Sequence, residues 1–226
     1  MLPMPALCWL CALPLRFAHH GICSCCLRGL PKLPMLCPRC GLPASSLRSP
    51  CGRCLREPPA WQALICVTGY HAPLSHWIHQ LKFSRVTALK VMLARLLLLS
   101  WLYAYRTRLL TRPDLLLCVP LHHRRGWQRG YNQTALLAQP LARWLGCEFS
   151  QGLRRHYQGA LQHQLSAKQR RTNLRGAFGL EIAVRGRHIA LIDDVITTGS
   201  TVEEISRFLL AQGAASVQVW CLCRTL

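Results

Sequence analysis

Ile189-Ala190-Leu191-Ile192-Asp193-Asp194-Val195-Ile196-Thr197-Thr198-Gly199-Ser200-Thr201 is the stretch from which the rest of the chain can be read. Its leading apolar run, without polar alternation, predicts a parallel strand covered on both faces. Two adjacent carboxylates, Asp193 and Asp194, stand where that strand is expected to leave the core. A short loop of hydroxyls and one glycine follows, and then a helix. Ser200 and Glu203 have the spacing of a capping box, and Gly213 stands where a helix C-cap belongs. Between them Val202, Ile205, Phe208 and Leu209 fall on one face. The order is therefore strand, acidic pair, hydroxyl loop, helix. N–H groups at such a helix start point outward and favour an anion.

The acidic pair makes the loop more than a general anion site. Carboxylates repel a phosphate but accept hydrogen bonds from sugar hydroxyls. A ligand with a phosphate at one end and a vicinal diol nearby, such as a ribose 5-phosphate, satisfies both. The G-x-x-x-x-G-K-S/T loop of many ATPases is absent, which argues against that class. As a unit, the stretch resembles the phosphoribosyl-pyrophosphate (PRPP) motif of type I phosphoribosyltransferases. The resemblance implies an α/β fold with a parallel sheet flanked by helices. It assigns Asp193 and Asp194 to the ribose 2- and 3-hydroxyls as the catalytic pair. It assigns Thr197, Thr198, Gly199, Ser200 and Thr201 to the 5-phosphate, with Mg²⁺ accompanying the pyrophosphate of PRPP.

The chain of 226 residues is 51% hydrophobic, enough for a real core and against disorder. Its length suits one medium domain plus a small one. The formal net charge is +20, and only 4 of the 28 basic residues are Lys, the rest being Arg. Arginine presents a planar fork that matches phosphate, so the bias favours phosphate contacts. Residues 115–187 hold 12 basic and 2 acidic residues, directly before the acidic pair. The most apolar run, Val91 to Trp101, carries Arg95 and falls short of the roughly 20 residues a bilayer span needs. No charged, apolar leader marks the N-terminus, so the expectation is a cytoplasmic chain with reduced thiols and no membrane span.

In that setting 14 cysteines point to metal rather than disulfides. Four C-x-x-C pairs occur, Cys8/Cys11, Cys23/Cys26, Cys37/Cys40 and Cys51/Cys54, separated by 11, 10 and 10 residues. A two-residue spacer lets both thiolates of a knuckle face one ion, and two knuckles complete a tetrahedral site. Four knuckles make two structural sites, with zinc the expected ion and iron the lesser alternative. Spacing does not separate consecutive quartets from an interleaved arrangement, and Cys25 beside Cys26 competes for one ligand position. A segment of about 55 residues has too little core to fold alone, so metal would supply much of its stability. The organisation expected is a double zinc ribbon at 1–56, a proline-stiffened linker at 57–62 and an α/β domain at 63–226.

Within that domain Ala63 to Tyr70 reads as a strand. Leu74, Trp77, Ile78 and Leu81 recur at helical spacing and a second helix covers Ala88 to Arg106; both helices read as cover for the sheet, the alternative being that Lys82 reaches the active-site cleft. Leu115 to Val119 is another buried strand. The loop after it carries Arg124, Arg125 and Arg129 and leaves the carboxyl end of the sheet, where open α/β sheets bind ligands. These three arginines are candidates for a pyrophosphate. A helix follows from about Asn132 to Leu145, then a polar, basic hood over 162–178 in which His163, with His156 before it, is a candidate acid–base group. Val217 to Cys223 supplies a last strand, and Cys66, Cys118, Cys147, Cys221 and Cys223 read as small core residues.

Several segments narrow the resemblance. Val119-Pro120-Leu121, Arg129-Gly130-Tyr131-Asn132-Gln133, Leu165-Ser166, Arg170 or Arg171 with Asn173-Leu174, and Gly176-Ala177-Phe178 are similar, in that order, to the ComF/GntX family. The family joins a double zinc ribbon to a phosphoribosyltransferase domain. It implies PRPP or a nucleotide as ligand, a part in the uptake or utilisation of external DNA, and single-stranded DNA and DNA-processing proteins as partners. The alternative it leaves open is an active phosphoribosyltransferase in nucleotide salvage with an unassigned acceptor base.

Overall fold

The computed structural model describes residues 6–121, 131–155 and 178–226. Five strands form one parallel sheet: β1 (Ala63–Gly69), β2 (Leu115–Cys118), β3 (Glu148–Ser150), β6 (His188–Ile196) and β7 (Ser216–Arg224). Their spatial order is β1-β7-β6-β2-β3, which places β6 in the centre. A short antiparallel pair, β4 (Leu153–Arg155) and β5 (Phe178–Leu180), stands apart. Among its described residues the Cys-rich segment holds short helices, α1 (Ser24–Arg28) and α2 (Gly52–Arg56), and a 3-10 turn at Ala18–His20. Helices α3 (Leu74–Phe83), α4 (Leu89–Arg108) and α5 (Gln133–Leu145) cover one face of the sheet, and α6 (Ser200–Ala211) covers the other.

The central strand shows why the apolar run folds as it does. Ala190 and Ile192 belong to the core under α3, α4 and α5, while Ile189 and Leu191 belong to the core under α6. A strand buried on both faces has no use for polar alternation. The same logic holds for β7, whose Trp220 lies 5.3 Å from the ring of Trp101 on α4. Helix α6 turns Val202, Ile205 and Leu209 inward, all buried, and Gly213 lies just past its end at φ 91°. Helix α5 starts at an Asn132 cap, whose side chain accepts from Thr134 N at 3.1 Å, and carries Pro140 inside it.

The two halves of the Cys-rich segment grip opposite faces of the sheet. The first half packs on α4, and at Gly21 (φ 66°) a Cβ would sit 2.5 Å from Met92 Cβ. The second packs on β1. There Gly41 (φ 69°) faces Leu64, whose Cδ2 would meet an added Cβ at 2.6 Å. Leu64 N donates to Pro38 O at 3.1 Å, and Trp61 Nε1 donates to Arg39 O at 2.6 Å. Both glycines are therefore demanded twice, by backbone conformation and by close approach. Among the described residues no helix is long and apolar enough to cross a membrane.

Candidate functional site

The site is built at the carboxyl end of β6. The strand does not stop at the acidic pair but runs through it to Ile196. Successive side chains alternate across a strand, so the two carboxylates part company. Asp194 is 5% exposed and turns toward the helical layer. Lys82 Nζ of α3 lies 2.6 Å from its Oδ1, and Gln133 Nε2 of α5 donates to its Oδ2 at 2.5 Å. Asp193 is half-buried and lines a small cavity of about 80 Å³ with Val195 and the loop from Ile196 to Val202. Its Oδ1 accepts from Asp194 N at 2.8 Å. Burial, and then the charge of Asp194, push its carboxyl up from 3.8 to about 7.

The loop is held from behind. Gly199 is the N-cap of α6 at φ 85°, a left-handed conformation that glycine adopts without strain. The indole of Trp61 supports it, with Cη2 3.4 Å from where a Cβ would stand. Arg224, buried at the end of β7, donates to the carbonyls of Ile196 (3.1 Å) and Thr197. Thr198 Oγ1 lies 2.9 Å from Ser200 Oγ and accepts from Ser200 N at 3.3 Å. Thr197, Thr198 and Ser200 are exposed, while Gly199 and Thr201 are half-buried.

The expected capping box between Ser200 and Glu203 does not form. Ser200 is the first residue of the helix, and the Gly199 cap has no side-chain hydrogen bond. Glu203 instead accepts from Ala60 N at 3.0 Å and pairs with Arg207 at 2.7 Å. The consequence is chemical: no capping carboxylate occupies the mouth of α6, where the positive end of the helix faces the cavity.

The basic loop after β2 leaves from beside this cavity. Val119 N donates to Ile192 O at 2.9 Å, which sets the end of β2 next to the residue before Asp193. The loop returns to the same place. Tyr131 Oη donates to Leu81 O, and Asn132 Nδ2 donates to Val119 O at 3.2 Å. Arg124, Arg125 and Arg129 themselves, and the hood with His156 and His163, lie outside the described residues.

Sequence reasoning left Lys82 at the cleft as the alternative to a helix that only covers the sheet; it did not find Gln133, Arg224 or Trp61 as parts of the site. Gln133 stands one residue past a helix cap, where a polar residue is unremarkable. Arg224, a charged residue at the end of the run Val219-Trp220-Cys221-Leu222-Cys223, carried the stronger signal.

The cysteines gather as two consecutive quartets, Cys8/Cys11/Cys23/Cys26 and Cys37/Cys40/Cys51/Cys54, with the ligand atoms of each within 4.8 Å of one another. Neighbouring thiols Cys11/Cys23 and Cys40/Cys51 lie 3.9 and 3.7 Å apart. Tetrahedral Zn–S bonds of about 2.3 Å require sulfurs about 3.8 Å apart, so each group can hold zinc. Backbone N–H groups of Cys23 and Cys51 donate to Cys8 Sγ (3.4 Å) and Cys37 Sγ (3.2 Å), stabilising thiolates. Cys25 is exposed, within 3.8 Å of Arg28, and outside the quartet. Of the remaining cysteines, Cys66, Cys118, Cys221 and Cys223 are buried and Cys147 is half-buried.

A central parallel sheet, a carboxylate and hydroxyl loop at its carboxyl end and two Cys₄ groups define a phosphoribosyltransferase-type α/β protein with a Cys-rich N-terminal segment able to hold two metal ions. The family described as phosphoribosyl transferase domain matches residues 133–226. Over the whole length of both chains the protein is 56% identical to DNA utilization protein YhgH of Escherichia coli and of Shigella flexneri. It is 41% identical to competence protein F of Haemophilus influenzae, covering 93% of each chain. The chain belongs to the ComF/GntX family.

Proposed function

We propose that the cavity beside Asp193 binds the ribose 5-phosphate part of PRPP or of a nucleotide, and that the protein serves the utilisation of external DNA in the cytoplasm. The observation that carries the ligand is the pairing of one cavity-lining carboxylate, Asp193, with a helix start that has no side-chain cap and three exposed hydroxyls around about 80 Å³. A carboxylate alone would reject a phosphate, and a helix start alone would accept any anion. Together they select a molecule with a diol at one end and a phosphate at the other. Asp194, held by Lys82 and Gln133, positions the pair rather than offering both oxygens to the sugar. Arg124, Arg125 and Arg129 belong to this reading as pyrophosphate ligands.

Mg²⁺, when present, would arrive with the pyrophosphate and neutralise it, since Mg²⁺ is commonly held by substrate phosphates plus one or two carboxylates. Zinc in both Cys₄ groups completes the reading, with 1–56 as the ribbon unit, 57–62 as its connection and 63–226 as the ligand-binding domain. The DNA role rests on the names of the relatives, DNA utilization protein and competence protein F. The 24 arginines support single-stranded DNA and DNA-processing proteins as partners. The second reading, a working phosphoribosyltransferase, is favoured by the same cavity, with Asp193 holding the ribose as positive charge develops at the anomeric carbon.

The test is a calorimetric titration of PRPP with Mg²⁺ into the zinc-loaded protein and its Asp193→Asn variant. Saturable binding that weakens at least about tenfold in the variant supports the site. Equal binding by both proteins, or by neither, removes it.

A further inference from the structure

A second cavity, of about 720 Å³, lies on the side of the molecule formed by the Cys-rich segment. Its walls are the connector between the two quartets (27–36), the edge strand β1 and the helix α4. It is an open groove rather than a chamber: Met35, Leu47, Leu99 and Tyr103 line it while remaining 53%, 39%, 38% and 59% exposed. An apolar surface of this extent left in water marks a binding site more often than an accident of packing.

The charges around it choose the occupant. Arg28, Lys32 and Arg108 are the charged residues of the lining, and none is paired with a carboxylate. All 8 acidic residues of the chain lie among the described residues, and none of them lines the groove. A second copy would bring the same net charge of +20 to the contact and be repelled. Nucleic acid would meet the cations, but the lining is aliphatic apart from Tyr103, without the rows of aromatic rings on which bases stack. We infer that the groove between the 27–36 connector, β1 and α4 docks an acidic segment of a partner protein that presents leucine or phenylalanine anchors between Asp and Glu residues. The anchors enter the aliphatic trough and the carboxylates reach the three cations on its rim. This surface uses none of the groups around Asp193, so it stands or falls separately from ligand binding there.

The experiment is fluorescence anisotropy of labelled peptides on the full-length zinc-loaded protein. The first peptide alternates Glu with Leu and Phe, the second replaces Glu by Lys, and the third replaces Leu and Phe by Ser. The expected result is binding of the first at least about tenfold tighter than of the other two. That binding should fall about tenfold or more in Lys32→Glu and in Leu99→Asp, both solvent-exposed positions whose variants are checked for full zinc content. Arg207→Glu, exposed and away from the groove, should leave specific binding unchanged. Equal binding of both acidic peptides would show general attraction to a basic protein and overturn the inference. So would no binding, binding indifferent to Lys32 and Leu99, competition by a single-stranded oligonucleotide at those same residues, or a dimer in sedimentation that dissociates in Leu99→Asp.

Discussion

Replacing Asp193 by asparagine should make the fold more stable at neutral and alkaline pH while weakening the site. The carboxyl is raised from 3.8 to about 7 because burial and the neighbouring Asp194 both disfavour its charge. A folded value above the unfolded one means that the folded chain keeps a proton which the unfolded chain has already released. The resulting stability is complete below about pH 4 and is lost as pH rises through about 7. The displacement corresponds to a ceiling of about 4 kcal/mol, since each pK step is worth about 1.4 kcal/mol. Asparagine keeps the oxygen that accepts from Asp194 N and removes the charge. The assay is urea denaturation of the zinc-loaded protein and variant at pH 5 and pH 8. Titrating groups away from the Asp193–Asp194 pair, thiolates and histidines included, cancel in the difference between the two proteins. The variant's lead should be at most about 1.5 kcal/mol at pH 5, where part of the difference has already developed, and should grow by a further amount of about 1 to 3 kcal/mol at pH 8. Parallel curves, or a variant less stable at pH 8, would refute the placement of an uncompensated carboxylate at 193.

Other expectations follow from the same geometry. Lys82→Met leaves Asp194 buried without its cation and should cost about 3–5 kcal/mol in denaturant unfolding, most of it regained in the Lys82→Met/Asp194→Leu double variant. Cys26→Ser should lower the zinc content, measured by colorimetric release, from two ions per chain to one, whereas Cys25→Ser should leave it at two. Gly41→Ala forces a methyl into Leu64 at a positive φ and should destabilise by more than about 1 kcal/mol; Gly52→Ala, at a position open to solvent, should be nearly neutral in the same melt.

Much of this molecule could be read from its residues, and the gaps have physical causes. The runs at Ala63, Leu115, Ile189 and Val217 all became parallel strands because each must bury both faces, a requirement that leaves a plain mark in composition. Short β3, β4 and β5 went unread, since three residues are too few to show a period. The quartets were legible as a pair, but their consecutive grouping depends on how each half folds back on itself. At the site, adjacency in sequence hid a division in space. Asp193 and Asp194 look equivalent on paper, yet the pleat sends one to the cavity and the other to Lys82 and Gln133, which are distant in the chain. The capping box failed for a similar reason. Glu203 had a better use in Ala60 N, across 143 positions of sequence.

Trp61 has a consequence beyond support of the loop. Its indole N–H is fastened to Arg39, inside the second cysteine quartet, while the far edge of its ring backs Gly199 at the start of α6. One rigid side chain thus joins the metal module to the anion cradle. Thermodynamic linkage runs both ways through such a joint. If the metal-free module lets Trp61 move, the cradle loses its backing and its affinity. By the same coupling, an occupied cradle would raise the affinity of Cys37, Cys40, Cys51 and Cys54 for zinc by the same factor. A module outside the cavity would then act as a gauge of metal supply, reporting it as a change in how firmly an anion is held.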